Sequence, residues 1–188
     1  MRTPLLCLFD LGGVAARFLP ERRLPELSRL LGAEPARVAQ LIWSSGLSAD
    51  FDSGQFTLPE MASRLGCLFS CNVDCSELAQ IWCLAFQPRE DVLGLARDIR
   101  QNAQVGLFTN NPPALEAGIS VHLPALAAIF EPLLFSCSLG AKKPSTEVYS
   151  RVEQLVSHSP QELALIDDSR QNVESARARM AGDPISRC

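Results

Sequence analysis

Polar groups of chemical interest stand at or after the ends of apolar runs at four places in this sequence. They are Asp10, Thr109 with Asn110, Lys143, and the pair Asp167-Asp168. A carboxylate can act as a nucleophile, carboxylates can share Mg²⁺, and a hydroxyl, an amide or a lysine can bind phosphoryl oxygens. Each of these residues alone is also typical of a helix cap or a solvated turn. Their recurrence after successive apolar runs favours a common site for phosphoryl chemistry.

The apolar runs themselves predict four short strands, at residues 5–9, 105–108, 133–137 and 163–166. Segments of helical period, at 92–99, 146–155 and 173–180, lie between or after the later runs. Strands that alternate with helices predict an α/β fold with a doubly wound, Rossmann-like parallel sheet. Ligands bind at the carboxyl ends of the strands in such sheets. The predicted fold therefore brings the polar residues to one edge.

The long stretch between the first two predicted strands has helical patterns and no convincing strand. Helices are predicted at 20–31, 35–44, 58–65 and 75–85, and its aromatic residues are spaced to pack a small bundle. Proline in the first turn and acidic residues near the start support two of these helices. We therefore expect an α/β core of residues 1–17 and 89–188, with residues 18–88 inserted as a small helical cap domain.

Composition limits the partners and the compartment. The 188 residues carry a formal net charge of −4, and no apolar run approaches the roughly 20 residues that cross a bilayer. Asp10 interrupts the N-terminal apolar stretch too early for a signal peptide. Seven cysteines without such a signal fit free thiols, and the spacing of Cys67, Cys71 and Cys75 does not favour a metal site. We expect a cytoplasmic protein with no nucleic-acid or membrane partner; the sequence leaves its oligomeric state open.

The motifs resemble those of the haloacid dehalogenase-like hydrolase superfamily, over residues 5–182. The segment Phe9-Asp10-Leu11-Gly12-Gly13-Val14 looks like the first motif of that superfamily, and Thr109, Lys143 and Asp167-Asp168 match the other three. Within the superfamily the chain is similar to phosphatase-like members with a small helical cap, including sugar-1-phosphate phosphatases.

The resemblance implies a role for each matched residue. Asp10 would attack the substrate phosphorus and form an aspartyl-phosphate. Mg²⁺ would be held by Asp10, Asp168 and the backbone carbonyl of Gly12, and Thr109 and Lys143 would bind the phosphoryl oxygens. Asp167 would matter less than Asp168. The implied function is a Mg²⁺-dependent phosphatase, a phosphoric monoester hydrolase acting on a small phosphorylated metabolite such as a sugar phosphate.

Two features depart from the pattern. Most phosphatases of the superfamily have an acid–base aspartate where this chain has Gly12, so we expect a preference for substrates with good leaving groups. If the rates do not depend on the leaving group, another residue supplies the proton, and Glu21 and Asp50 of the cap are the first candidates. The tail 183–188 is too short for the strand and helix that relatives add. Two alternatives stay open: a metal-independent hydrolase of carbon–halogen bonds, and a catalytically weak phosphate- or partner-binding protein.

Overall fold

The structure is a computed structural model that describes residues 6–180. The strands are β1 (Leu6–Phe9), β2 (Ala16–Phe18), β3 (Phe86–Pro88), β4 (Gln104–Thr109), β5 (Leu133–Phe135) and β6 (Leu163–Ile166). The α-helices are α1 (Pro20–Leu31), α2 (Pro35–Ala39), α3 (Leu47–Asp52), α4 (Leu58–Phe69), α5 (Cys75–Cys83), α6 (Glu90–Ile99), α7 (Pro113–His122), α8 (Pro124–Ala127), α9 (Ser136–Leu139), α10 (Thr146–Val156) and α11 (Arg170–Met180). Residue 5 and the tail 183–188, on which two of the sequence predictions fall, lie outside the described residues.

Four strands form a parallel sheet in the order β5-β4-β1-β6. The central strand β1 is buried along its whole length, which explains its unbroken apolar run. In register, Phe9 is flanked by Leu107 and Ile166, so the three strands end at one edge of the sheet. The predicted fold class is confirmed. The prediction was wrong at the end of β5, because Ser136 and Cys137 already belong to α9.

A short antiparallel ribbon of β2 and β3 joins the two ends of the inserted segment. Phe18 and Phe86 face each other across it, with ring centroids 5.4 Å apart. The sequence prediction of no strand in this segment was wrong, since three-residue strands are too short to show alternation. The predicted helix at 35–44 changes at Gln40 from α-helix to a π-helical turn, and α3 and α7 were not predicted.

The inserted helices share a continuous apolar core with the parallel sheet, including Phe9, Trp82 and Leu115. Helix α5 approaches α7 so closely that a Cβ atom on Gly118 would lie 2.7 Å from the Cys83 sulfur. The absence of a side chain at Gly118 therefore permits this packing. We keep the division into a core of 1–17 and 89–188 and a cap of 18–88 as a proposal.

Between residues 6 and 180, no helix combines the length and the apolar character needed to cross a membrane.

Candidate active site

A cavity of about 260 Å³ lies where the carboxyl edge of the sheet meets the inserted helices. The core contributes Asp10, Gly12, Thr109, Asn110, Asn111, Lys143 and Asn172 to its wall. The insert contributes Phe18, Arg23, Trp43, Ser48, Asp52, Trp82 and Phe86. The structure therefore gathers the residues that the sequence predicted for nucleophilic and phosphoryl-binding roles. The insert adds a wall of aromatic side chains, which the sequence predicted chiefly as packing residues, and two charged residues that were not predicted, Arg23 and Asp52.

Lys143 is buried between two carboxylates at the floor of this cavity. Its Nζ lies 3.0 Å from Asp10 Oδ1 and 2.6 Å from Asp167 Oδ2, and it donates a hydrogen bond of 2.7 Å to the Phe108 carbonyl. Only 4% of the residue is exposed. A buried ammonium needs paired charge and hydrogen-bond acceptors, and these three oxygens supply them. The lysine is thus held as a cation directly beside the predicted nucleophile.

Asp167 has a fully buried side chain whose oxygens are engaged by the protein. Besides Lys143, it accepts hydrogen bonds from the backbone N–H of Ser169 at 2.8 Å and from the Asn172 amide at 3.0 Å. Asn172, in the first turn of α11, was not predicted as a site residue. These contacts give Asp167 the role of fixing Lys143 and anchoring the start of α11.

Asp10 follows β1 and is fixed there by a 2.8 Å hydrogen bond from its backbone N–H to the Ile166 carbonyl. Its Oδ1 is buried and forms an ion pair with the Lys143 ammonium, 3.0 Å away. Burial raises the pKa of the Asp10 carboxyl; Lys143 opposes this shift and Asp167 adds to it. A positive group that approached Oδ1 would stabilise the ionised form.

The carboxylates of Asp10, Asp167 and Asp168 each place one oxygen within 4.8 Å of the others. Among the described residues these three form a cluster with the donor atoms of a metal site, whereas Cys67, Cys71 and Cys75 are free thiols outside any such cluster. Because Asp167 is already engaged, Asp10 and the exposed Asp168 have oxygens left for a cation. Hard carboxylate oxygens of this kind fit Mg²⁺.

Thr109 ends the neighbouring strand, β4, and Asn110 follows it. Thr109 is buried, and its hydroxyl oxygen accepts a 2.7 Å hydrogen bond from the Asn111 amide. The Asn110 side chain pairs with the backbone of Lys143 in both directions, at 2.8 and 2.9 Å. These hydrogen bonds tie the loop carrying Lys143 to the end of β4, so Asn110 helps to place the lysine even though it also lines the cavity.

The carboxyl group that the insert places on the cavity wall is not one of the two that the sequence suggested as proton donors. Asp52 lines the cavity, whereas Glu21 and Asp50 do not. The end of α3 is fixed to the core because the Ser136 hydroxyl donates a 2.6 Å hydrogen bond to the Asp52 carbonyl. Burial raises the pKa of the Asp52 carboxyl to about 7, while Lys142 and Arg23 act in the opposite direction.

Solved structures resemble the whole described fold. A haloacid dehalogenase (HAD) family enzyme from Bacteroides thetaiotaomicron superimposes with a TM-score of 0.78 at 19% identity, over 95% of this chain and 91% of that one. A predicted HAD-like hydrolase from Porphyromonas gingivalis gives 0.77 at 20% identity, over 95% and 89%. This chain has the haloacid dehalogenase-like fold. Identities near 20% establish the fold and leave activity to be argued from the site.

The relatives with this HAD-like fold include more than one chemistry. The B. thetaiotaomicron enzyme was also solved with magnesium and inorganic phosphate, at a TM-score of 0.76 and 19% identity, over 93% of this chain and 90% of that one. An L-2-haloacid dehalogenase from Xanthobacter autotrophicus, with chloropropionic acid covalently bound, gives 0.61 at 13% identity, over 93% and 74%. No family model and no curated protein matches the sequence.

Proposed function

We propose that this protein is a Mg²⁺-dependent phosphatase that hydrolyses a small phosphorylated metabolite, with a sugar phosphate as one candidate class. The observation that carries the proposal is the arrangement around Asp10. A carboxylate at a strand end, a buried lysine 3.0 Å from it and a second aspartate with a free carboxylate share one small site. This arrangement suits the transfer of a phosphoryl group to Asp10.

The residues divide the reaction between them. An Asp10 oxygen attacks phosphorus, the bond from phosphorus to the leaving oxygen breaks, and an aspartyl-phosphate forms. Lys143 and the Thr109 hydroxyl bind the phosphoryl oxygens and so reduce the repulsion between two anions. The leaving oxygen takes up a proton, and water then hydrolyses the aspartyl-phosphate and regenerates Asp10. Asp167 and Asn110 hold Lys143 in place throughout.

Asp10, Asp168 and the Gly12 carbonyl would hold Mg²⁺. When bound, this ion neutralises negative charge and orients the phosphoryl group. The magnesium and phosphate complex of the B. thetaiotaomicron protein, which shares the fold, supports this assignment. The exposed Asp168 carboxylate beside Asp10 also argues against metal-free dehalogenation, because two adjacent carboxylates repel each other unless a cation lies between them.

The size of the cavity supports a small substrate. Its volume of about 260 Å³ is slightly below the roughly 300–1,000 Å³ of typical ligand pockets. The aromatic side chains of Trp43 and Trp82 restrict it on the insert side. A phosphorylated metabolite of a few carbon atoms fits this space better than a nucleotide or a phosphoprotein.

Turnover of a phosphorylated-metabolite panel, with p-nitrophenyl phosphate as a general reporter, tests the proposal. We expect Mg²⁺-dependent phosphate release that EDTA stops and added Mg²⁺ restores. Asp10→Asn should abolish turnover while retaining the fold. Asp98→Asn, which changes an exposed aspartate on α6, should leave turnover unchanged. Wild-type activity in Asp10→Asn would overturn the mechanism. Activity that persists in EDTA and releases halide from 2-haloacids would support the metal-free alternative instead.

A further inference from the structure

Arg23 is a buried cation on the wall of the cavity, held among aromatic rings. Its guanidinium carbon lies 4.6 Å from the ring centroid of Trp82, 5.3 Å from that of Trp43 and 5.6 Å from that of Phe18. Only 5% of the residue is exposed. We call Arg23 and these three aromatic residues the arginine cage. The cage lines the same cavity as Asp10 and Lys143.

The cage leaves the hydrogen-bonding capacity of Arg23 unused. Its Nε is buried with no hydrogen-bond partner, and no carboxylate oxygen in the described part of the chain lies within the 4.0 Å of an ion pair with it. Asp52 interacts with Arg23 only electrostatically. Although burial lowers the pKa of Arg23 to about 10, the side chain remains protonated at neutral pH.

Cation–π contacts offset only part of the desolvation of this charge. Each acts on the face of the guanidinium, and none satisfies its in-plane N–H donors. A buried arginine without an acceptor is unfavourable unless a ligand supplies one. The matching ligand is a planar anion, because a guanidinium donates two parallel hydrogen bonds to a carboxylate.

We propose that Arg23 binds a carboxylate on the leaving-group part of the substrate. The substrates would then be small phosphate esters or acyl phosphates of carboxylic acids, with the phosphoryl group beside Asp10 and Lys143 and the carboxylate in the arginine cage. This inference rests on the proposed phosphatase function and narrows its substrate class. The small cavity favours a carboxylate over a second phosphoryl group at this position.

A binding experiment tests the inference without turnover. Phosphonoacetate, 3-phosphonopropionate and 4-phosphonobutyrate are each compared, by calorimetry with Mg²⁺ present, with the alkylphosphonate in which a methyl group replaces the carboxylate. The series covers the spacing between the two subsites. We expect at least one of the three carboxylate-containing phosphonates to bind the wild-type protein about tenfold or more tightly than the matched alkylphosphonate, since hydrogen bonds to charged groups are worth roughly this much. Equal affinity within all three pairs would overturn the inference.

Variants assign any preference to the cage. Arg23→Met should remove the difference within the best pair, and Arg23→Lys should keep only part of it, since lysine retains the charge without the fork. Arg22→Met, which removes the exposed neighbouring charge on α1, should preserve the difference. Carboxylate preference that survives in folded Arg23→Met would contradict the assignment.

The two proposals fail in different ways. A carboxylate preference in a protein that hydrolyses no phosphate ester would support the arginine cage and overturn the phosphatase function. Hydrolysis of neutral phosphate esters without any carboxylate preference would support the phosphatase and overturn the cage. If neither orthophosphate nor any alkylphosphonate binds, the phosphoryl site is wrong and the inference that rests on it is overturned.

Discussion

The Asp168 carboxylate lies against the backbone of Gly13, so closely that a Cβ atom on Gly13 would be 2.0 Å from Asp168 Oδ2. Gly13 also has a φ of +80°, a backbone conformation that residues other than glycine rarely adopt. The loop after the nucleophile and the loop after β6 therefore meet at this point. Their contact determines how near the exposed carboxylate comes to Asp10.

Replacing Gly13 should weaken the metal site. In Gly13→Ala the new methyl group must displace Asp168, and the left-handed backbone adds about 1–2 kcal/mol of strain. We expect the Mg²⁺ concentration for half-maximal activity to rise at least tenfold. Gly32→Ala is the matched control, because Gly32 also has a positive φ, +60°, and a Cβ there meets no atom within 4 Å, so the variant has the backbone strain without contact to Asp168. An unchanged Mg²⁺ dependence in Gly13→Ala would mean that Asp168 is not a ligand.

Asp167 and Asp168 should differ sharply in their effect on stability. Removal of one partner from a buried ion pair costs about 3–5 kcal/mol, and Asp167→Ala should lie near the lower end because Lys143 keeps Asp10 beside it. Asp168→Ala changes an exposed residue and should shift the free energy of unfolding by less than about 0.5 kcal/mol. Urea denaturation without metal measures both. Equal destabilisation by the two substitutions would contradict the roles assigned to this pair.

The strand-end residues could be predicted from the sequence, and the cavity wall could not. Buried parallel strands give unbroken apolar runs, so the polar residues after them stand out. Arg23 and Asp52 are placed by the packing of the insert, and no local pattern marks them. The predicted candidates, Glu21 and Asp50, precede them by two positions each. Residues two apart in a helix lie on different faces. The sequence predicts a helix without showing which of its faces meets the cavity, so it cannot tell which carboxylate lines the cavity wall.

Burial of Asp52 should make stability depend on pH. The pKa of its carboxyl is about 7 in the folded state against 3.8 for an ordinary aspartate, with Lys142 and Arg23 the charged groups that act on it. The folded protein therefore binds more protons than the unfolded chain between about pH 4 and 7, and this carboxyl lowers stability progressively as pH rises through that range. A shift of about three units corresponds to at most about 4 kcal/mol.

Asp52→Asn should remove this loss. The free energy of unfolding of both proteins is measured by urea denaturation at pH 4 and at pH 8. We expect the stability of the variant relative to the wild type to be higher at pH 8 than at pH 4, by up to about 4 kcal/mol. Asp50→Asn, on the same helix but outside the cavity wall, controls for the removal of a charge from the insert. If the free energies of unfolding of the wild type and of Asp52→Asn changed in parallel with pH, the Asp52 carboxyl would have an ordinary pKa.

Gly12 should impose a preference for good leaving groups. No carboxyl group stands at this position to protonate the leaving oxygen, and general-acid catalysis typically contributes about 10²–10⁴-fold. Aryl, acyl and anomeric phosphates should therefore react faster than phosphates of primary alcohols, such as glycerol phosphate, by a factor in this range. The structure provides room for the missing acid, because the backbone at Gly12 is compatible with a side chain and a Cβ atom meets no atom closer than 3.8 Å.

Gly12→Asp should narrow that difference by raising kcat/KM for the alkyl phosphates more than for the aryl phosphates. The measurement is the slope of log kcat/KM against leaving-group pKa, for wild type and Gly12→Asp, with Gly12→Ala as the steric control. A flat wild-type slope with chemistry rate-limiting would show that another residue already donates the proton. Asp52 is then the group to replace, because it is the carboxyl that the insert places on the cavity wall. In that case Asp52→Asn should make log kcat/KM depend steeply on the leaving-group pKa, as expected for a site that has Gly12 and no other proton donor.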